Sequence, residues 1–344
     1  LRCRAFVLLM MSSLLIACTS ETASTFSEVE EESFTFTFSS AFSPISNEYE
    51  PKYYGIDLFA EEVEKRSEGR IQFDIYYSNQ LVPQGNLLDA IASGTIDMGG
   101  HGSYWGDMIP TNDVFWLPYI SDGEEELMHL VRDTEVGEIF EQNLEEYGVK
   151  PLFYWPSSAN SFMTNQEIRV PEDLNGTMMR LPTGLWLTWF QELGIAPANV
   201  AASEIYEALQ RGTMDGTIYP YYTLDTNNYH EVVDYATYPP VIDPVMTFTT
   251  ISLDKWNTLP EDLQQIMLDV GEEMEGKAIE ASKAQTKDSL QIAEEKDVTV
   301  THFSDEEWQR FRDSSDVVWD EFASISDDTK RMVEVIREEL PLEE

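Results

Sequence analysis

One segment of this chain occurs twice, and the repetition limits the folds open to it. Asp89-Ala90-Ile91-Ala92-Ser93-Gly94-Thr95-Ile96-Asp97 and Glu207-Ala208-Leu209-Gln210-Arg211-Gly212-Thr213-Met214-Asp215 match in register, 118 residues apart. Each has an acid, alanine, an aliphatic residue, two variable positions, glycine, threonine, an apolar residue and aspartate. Each reads as an amphipathic helix, a glycine suited to the left-handed position just past its end, and a short strand. Two copies of such a unit predict two α/β lobes of like construction. A crevice between two lobes is a common place for a ligand.

The rest of the chain reads in the same way. Phe34, Phe36 and Phe38 alternate with Thr and Ser as a strand, Tyr54 to Ser67 has a helical pattern, and Arg70 to Tyr77 alternates again, so lobe I opens β-α-β. Leu87 to Ser93 is the next helix, and Glu124, Glu125 and Glu126 open another that the pattern carries to about Glu146. Val149 to Tyr154 reads as a strand, and Thr183 to Leu193 and Ser203 to Arg211 as helices, the second entered by Ser203 as N-cap. Pro260 to about Glu295 is almost free of breakers. At 1.5 Å per residue such a helix runs about 50 Å, enough to brace both lobes. Asp305 to Glu339 reads as two more helices. The expected limits are 34–155 for lobe I, with part of 240–275, and 156–239 for lobe II, with part of 276–335.

The N-terminal stretch carries a different message. Arg2 and Arg4 precede an apolar run from Ala5 to Ile16, then Leu15-Ile16-Ala17-Cys18. The run is too short to span a bilayer and reads as a lipoprotein signal peptide over 1–18, with Cys18 the lipidated residue. Residues 19–33, rich in Ser, Thr and Glu, read as a flexible tether. The protein is therefore expected to be exported, periplasmic or held at the cell surface by the lipid. Cys3 and Cys18 are the only cysteines, which excludes a disulfide or thiolate metal site in the mature chain. A net charge of -43 excludes nucleic acid as a partner. With 42% hydrophobic residues the chain still has ample material for a core, so the acidic excess reads as surface charge, of the kind suited to high salt.

Against that charge one cation stands out. Arg180 lies in Met178-Met179-Arg180-Leu181-Pro182, apolar on both sides, a poor setting for a solvated ion pair. Its guanidinium offers a planar fork that matches a carboxylate and stays charged when desolvated, which makes it a candidate anion receptor. The plainer reading is a structural arginine paired to one of 64 acidic residues.

Many short segments together carry a resemblance. Phe59-Ala60-Glu61-Glu62-Val63, Ser67-Glu68-Gly69-Arg70-Ile71, Gly94-Thr95-Ile96-Asp97, Leu117-Pro118-Tyr119, Val170-Pro171-Glu172-Asp173-Leu174-Asn175-Gly176, Arg180-Leu181-Pro182, Ser203-Glu204-Ile205-Tyr206-Glu207-Ala208-Leu209 and Leu259-Pro260-Glu261-Asp262-Leu263 fall in order. In order and spacing they resemble the DctP-type solute-binding proteins of TRAP transporters, over about residues 34 to 312. The resemblance implies an α/β, two-lobed, periplasmic-binding-protein-like receptor that closes on a small organic acid and delivers it to membrane permease subunits. It also implies that Arg180 forks the ligand carboxylate. Two positions depart from the family pattern. Tyr219-Pro220 stands where Asn-Pro is usual, and Asn160 or Ser161 stands where many members carry a second arginine. Loss of one cation points away from a dicarboxylate and toward a monocarboxylate, a sugar acid or a zwitterion such as ectoine.

Aromatic residues leaving strand ends fit that shift, because ligands of open α/β sheets bind there. Tyr104 and Trp105 follow the first repeat, Trp155 follows the strand into lobe II, and Tyr219, Tyr221 and Tyr222 follow the second repeat. Such rings stack on a sugar face or surround a cation, or else pack at a lobe interface. Gln84 and His101 are further polar candidates by position. The four histidines are scattered, and neither a metal-binding nor a Gly-x-Ser-x-Gly motif is present, so no cofactor, metal or catalytic residue is expected. Two other readings stay open at this point: a secreted glycoside hydrolase using two of the many carboxylates, and a ligand-sensing module.

Overall fold

The computed structural model describes residues 32–44, 47–181, 183–201 and 204–340. Cys3, Cys18, most of the 19–33 tether and Ser203, with its N-cap role, lie outside the described residues. From Ser33 onward the chain forms one compact unit.

Lobe I is built from β1 (Phe34–Ser40), α1 (Phe59–Arg66), β2 (Ile71–Tyr76), α2 (Leu87–Ala92), β3 (Met98–Gly102), α3 (Glu124–Asp133), α4 (Glu135–Glu146) and β4 (Val149–Tyr154). Lobe II follows with β5 (Asn160–Thr164), β6 (Met178–Arg180), α5 (Leu187–Glu192), β7 (Ala196–Ala198), α6 (Ile205–Gln210), β8 (Gly216–Pro220), α7 (Thr223–Thr226) and β9 (Tyr235–Tyr238). The chain then returns through β10 (Thr247–Ser252), α8 (Leu253–Trp256), α9 (Glu261–Glu295), β11 (Thr299–His302), α10 (Asp305–Ser314), α11 (Asp316–Ala323) and α12 (Asp327–Glu339).

The two sheets share one plan. Lobe I has strand order β2-β1-β3-β10-β4, and lobe II has β7-β6-β8-β5-β9-β11. In both, the first three strands are parallel, and the fourth, β10 or β5, runs antiparallel to the strands on either side of it. The repeated segments occupy equivalent places and use the same bonds. Gly94 and Gly212 end α2 and α6 with φ of 71° and 64°, a conformation that costs glycine little. The aspartate of each copy grips the backbone of the neighbouring strand: Thr37 N donates to Asp97 Oδ2 at 2.8 Å and Met178 N to Asp215 Oδ2 at 2.7 Å. The second grip pins the start of the strand that carries Arg180.

The core follows the alternation. Phe36 and Phe38 are buried on one face of β1, with Phe73 of β2 6.0 Å from the Phe36 ring, and Phe59 and Val63 of α1 cover them. The long helix α9, 35 residues, contacts both lobes. Leu263, Met267, Val270 and Met274 pack into the lobe I cluster and Ala293 into that of lobe II. Where it passes the crossover, Ser282 Oγ donates to the Ser157 carbonyl at 2.9 Å.

Two other strands of chain cross between the lobes, and they run side by side. Ser157 N donates to Val245 O at 2.8 Å and Asn160 N to Ile242 O at 2.9 Å, an antiparallel pair of linkers. A few such linker residues are the kind that absorb the dihedral changes of a hinge. The C-terminal helices lie over both lobes: α11 packs on α5, and α12 packs on α4 and on the 3-10 turn Pro110–Trp116. Trp186 Nε1 donates to the Trp116 carbonyl at 2.6 Å, which ties lobe II to that turn.

Three boundaries differ from the periodicity. The single helix expected from Glu124 to Glu146 is α3 and α4, broken at Thr134 with φ -126° and ψ 167°. Its hydroxyl caps α4 by accepting from Val136 N at 3.2 Å, a local bond that competes with continuing the helix. The tail is three helices instead of two, because Ser304 and Ser326 each start one with a capping box and Ser315 ends one. Thr183 to Leu193 begins as a 3-10 turn, Gly184–Trp186, before α5.

The paired aspartates give a stability test. Asp97 is buried, 8% exposed, and also holds Lys255 Nζ at 3.1 Å, whereas Asp215 is exposed. Asp97→Ala is expected to cost about 1–3 kcal/mol, since a part-buried amide and the Lys255 ammonium lose their acceptor, and Asp215→Ala less. Urea unfolding measures both, and equal costs would contradict this account.

Candidate solute-binding cleft

Arg180 ends β6 beside Thr217 of β8, so the sheet itself delivers the side chain to the strand ends. The side chain is half-buried. Its Nε donates to the Val200 carbonyl at 3.2 Å, and its guanidinium carbon lies 5.6 Å from the centre of the Tyr219 ring. Among the described residues it makes no ion pair, while surface arginines such as Arg310 and Arg331 hold Glu172 and Glu135 at 2.6 and 2.7 Å. An open cavity of ≈ 400 Å³ lies against it, lined also by Leu181, Thr183, Gly184, Asn199 and Val200.

Residues from the other lobe reach the same place. Tyr104 leaves β3 43% exposed, while its hydroxyl folds back over Gly102, where a Cβ would sit 2.9 Å from it. Burial raises the hydroxyl's pKa first and Tyr219 adds to the rise; a hydrogen bond with Gln84 and the charge of Arg180 pull it down. Tyr219 behaves alike, raised by burial and lowered by Arg180. Of the residues singled out from the sequence, Arg180 and Tyr219 of lobe II thus meet, and Tyr104 of lobe I, beside Gln84, lies close enough to feel the charge of Arg180. All the phenols here keep their protons at neutral pH and act as hydrogen-bond donors.

The others are placed differently. Trp155 is 1% exposed within the lobe I cluster: its Nε1 donates to Thr249 Oγ1 at 3.1 Å and its ring lies so close over Gly55 that a Cβ there would sit 2.3 Å away. Trp105 is also buried, edge-on to His101 at 4.4 Å between ring centres, in a cluster that reaches both lobes. Asn160 sits on β5 at the linker, 5% exposed, and its Oδ1 has no hydrogen-bond partner among the described residues. Tyr221 is buried and donates to the Thr237 carbonyl. His101 is fully buried between Thr250 Oγ1 at 2.9 Å and the Gly102 carbonyl at 3.1 Å, and burial drives its pKa down to about 3.

Two charged residues here were not apparent from the sequence. Lys52 Nζ lies 2.9 Å from Glu50 Oε2, with 22% and 26% of their side chains exposed. The ammonium is 5.9 Å from the Phe42 ring of lobe I and 5.8 Å from the Tyr222 ring of lobe II. Glu50-Pro51-Lys52 precedes a helix and reads as an ordinary solvated start, so nothing local marks it. Among the described residues no group of three or more His, Cys, Asp or Glu is placed to hold a metal ion, and no helix is long and apolar enough to cross a membrane.

This geometry, a basic group at strand ends between two lobes joined by paired linkers, is that of a solute receptor. The model of the DctP family, bacterial extracellular solute-binding protein family 7, matches residues 42–325. The chain belongs to that family, the solute-binding proteins of TRAP transporters. It is 28% identical over 257 residues to the C4-dicarboxylate-binding periplasmic protein DctP of Rhodobacter capsulatus, covering 73% of this chain and 76% of that one. It is 24% identical over 289 residues to the ectoine-binding periplasmic protein TeaA of Halomonas elongata, covering 78% and 81%. The fold matches a TRAP periplasmic solute-binding protein of Roseobacter denitrificans with bound β-D-glucuronate at a TM-score of 0.78, with 21% identity and coverage of 88% and 99%. The family is one of non-enzymatic solute binding, which removes the glycoside hydrolase alternative.

The buried imidazole gives a pH test. Its folded pKa of about 3 lies below the unfolded value near 6.5, so the unfolded chain takes up a proton that the folded one refuses. The stability this confers is complete above pH 6.5 and is lost progressively as pH falls toward 3. Histidine-selective NMR is expected to find His101 still neutral at pH 5; a resonance titrating near 6.5 would contradict it.

Proposed function

We propose that this chain binds a small monocarboxylate, a sugar acid or a zwitterion between its lobes and hands it to the permease subunits of a TRAP transporter. One observation carries the reading. In a chain of net charge -43, Arg180 has no acidic partner among the described residues and lies among phenols from both lobes. A guanidinium held by one carbonyl keeps its outer N–H groups free to fork a carboxylate. Tyr104, Gln84 and Tyr219 supply donors and acceptors around that fork, and Asn160, at the position where many relatives carry arginine, adds at the linker an acceptor without a partner among the described residues. Trp155 and Trp105 support the cleft from beneath, through Phe42 and His101, whose rings lie 5.6 and 4.4 Å from theirs.

Closure supplies the affinity in this scheme. The solute binds to the open form through Arg180, the second lobe covers it, and loss of water strengthens the charge pair as the local dielectric falls. Arg180→Ala is expected to weaken binding of an acid such as D-glucuronate by ~2 to 4 kcal/mol, since it leaves a buried carboxylate unpaired. Titration calorimetry that finds the affinity unchanged would refute the role.

Anchoring through a lipid on Cys18 is part of the same proposal and rests on Leu15-Ile16-Ala17-Cys18 alone. Cys18→Ser is expected to move the protein from the membrane pellet to the soluble fraction on cell fractionation; an unchanged distribution would count against the anchor.

A further inference from the structure

Arg180 accounts for one end of a ligand, and a second cation, Lys52, paired with Glu50, lies between rings of the two lobes. Tyr222, whose ring lies 5.8 Å from the Lys52 ammonium, follows three residues after Tyr219, whose ring lies 5.6 Å from the Arg180 guanidinium, so one short segment of lobe II carries a contact to each cation. Lys52 is partly buried, its ammonium is flanked by a ring from each lobe, and Glu50 takes one of its three donors. We propose that Lys52 and Glu50 are the specificity-determining residues of the cleft and select a hydroxylated monocarboxylate, of the sugar-acid class, over dicarboxylates and zwitterions.

The selection follows from the pair being neutral as a unit. A second ligand carboxylate arriving at Lys52 meets the like charge of Glu50, already 2.9 Å from the ammonium. A cationic ligand group drawn to Glu50 meets the ammonium. A hydroxyl has no such conflict: its oxygen accepts from Lys52 Nζ while its proton goes to a Glu50 oxygen, and two adjacent hydroxyls satisfy both residues together. The aromatic faces of Phe42 and Tyr222 beside the pair suit the C–H face of a sugar. The absence of arginine at Asn160 fits the same ligand, since one fixed cation already pairs its single carboxylate.

This inference rests on the Arg180 reading, and the test separates the two. The wild type, Lys52→Met, Glu50→Gln and Arg180→Ala are titrated calorimetrically with D-glucuronate, D-galacturonate, succinate, ectoine and hexanoate, a carboxylate without hydroxyls. Urea midpoints confirm that each variant is folded. The wild type is expected to bind a sugar acid most tightly. Lys52→Met and Glu50→Gln should each weaken it at least about tenfold, the scale of one hydrogen bond to a charged group, and leave hexanoate unchanged. Sugar-acid binding unaltered in both variants, with Arg180→Ala weakened, overturns the Lys52 and Glu50 assignment alone. Equal losses for sugar acid and hexanoate reduce the pair to a structural role and overturn it as well. Tighter wild-type binding of succinate or ectoine, or no binding of either sugar acid, overturns the ligand class. Unchanged affinity in Arg180→Ala overturns the reading beneath it.

Discussion

The first sheet cannot be completed without chain that has already passed through the second. β10 lies between β3 and β4, so the polypeptide must leave lobe I after β4, build lobe II, and come back. The outgoing and returning segments then pair as antiparallel linkers, with Trp155 N also donating to Thr247 O at 2.9 Å. Everything functional in the molecule depends on that forced crossing. It leaves the two lobes joined by the paired linkers at Ser157 with Val245 and Asn160 with Ile242. It also explains why α9 spans both lobes, since the chain crosses once more after β10.

Electrostatics decides what that line can hold. Sixty-four acids against twenty-one lysines and arginines mean that a cation without a carboxylate is the exception here. Exposed pairs such as Arg310 with Glu172 add little to stability. An acidic side chain bonded to Arg180 would compete directly with an incoming anion. What surrounds the guanidinium instead is a carbonyl and the phenols of Tyr219 and Tyr104, groups that orient the charge without neutralising it.

Among relatives on this fold, one is named for C4-dicarboxylates, one for ectoine, and one holds glucuronate. The scaffold therefore does not choose the solute. Under the proposal made above, choice falls to a few side chains whose neighbours come from the other lobe, Lys52 with Glu50 on one side and Tyr222 on the other.

Local order was legible in the sequence. The alternation of Phe34, Phe36 and Phe38, the unbroken stretch to Glu295 and the twin segments ending at Asp97 and Asp215 specify strands, the long helix and two like lobes. Steric and periodic rules act within about ten residues, and that much any such segment carries with it. The break at Thr134 was set by one side-chain bond that periodicity does not weigh. The apolar flanks of Arg180 marked it as unusual, but where its guanidinium points is decided by β8 and the Val200 carbonyl. Trp155 and Trp105 carry the same composition signal as Tyr104, yet Gly55, Thr249 and His101, distant in the chain, bury the two tryptophans and leave the tyrosine ring exposed. Lys52 and Glu50 gain their meaning only from Tyr222, 170 residues along the chain. A side chain's chemistry is written at its own position, whereas its burial and its partners arise from contacts that exist only once both lobes have folded and met.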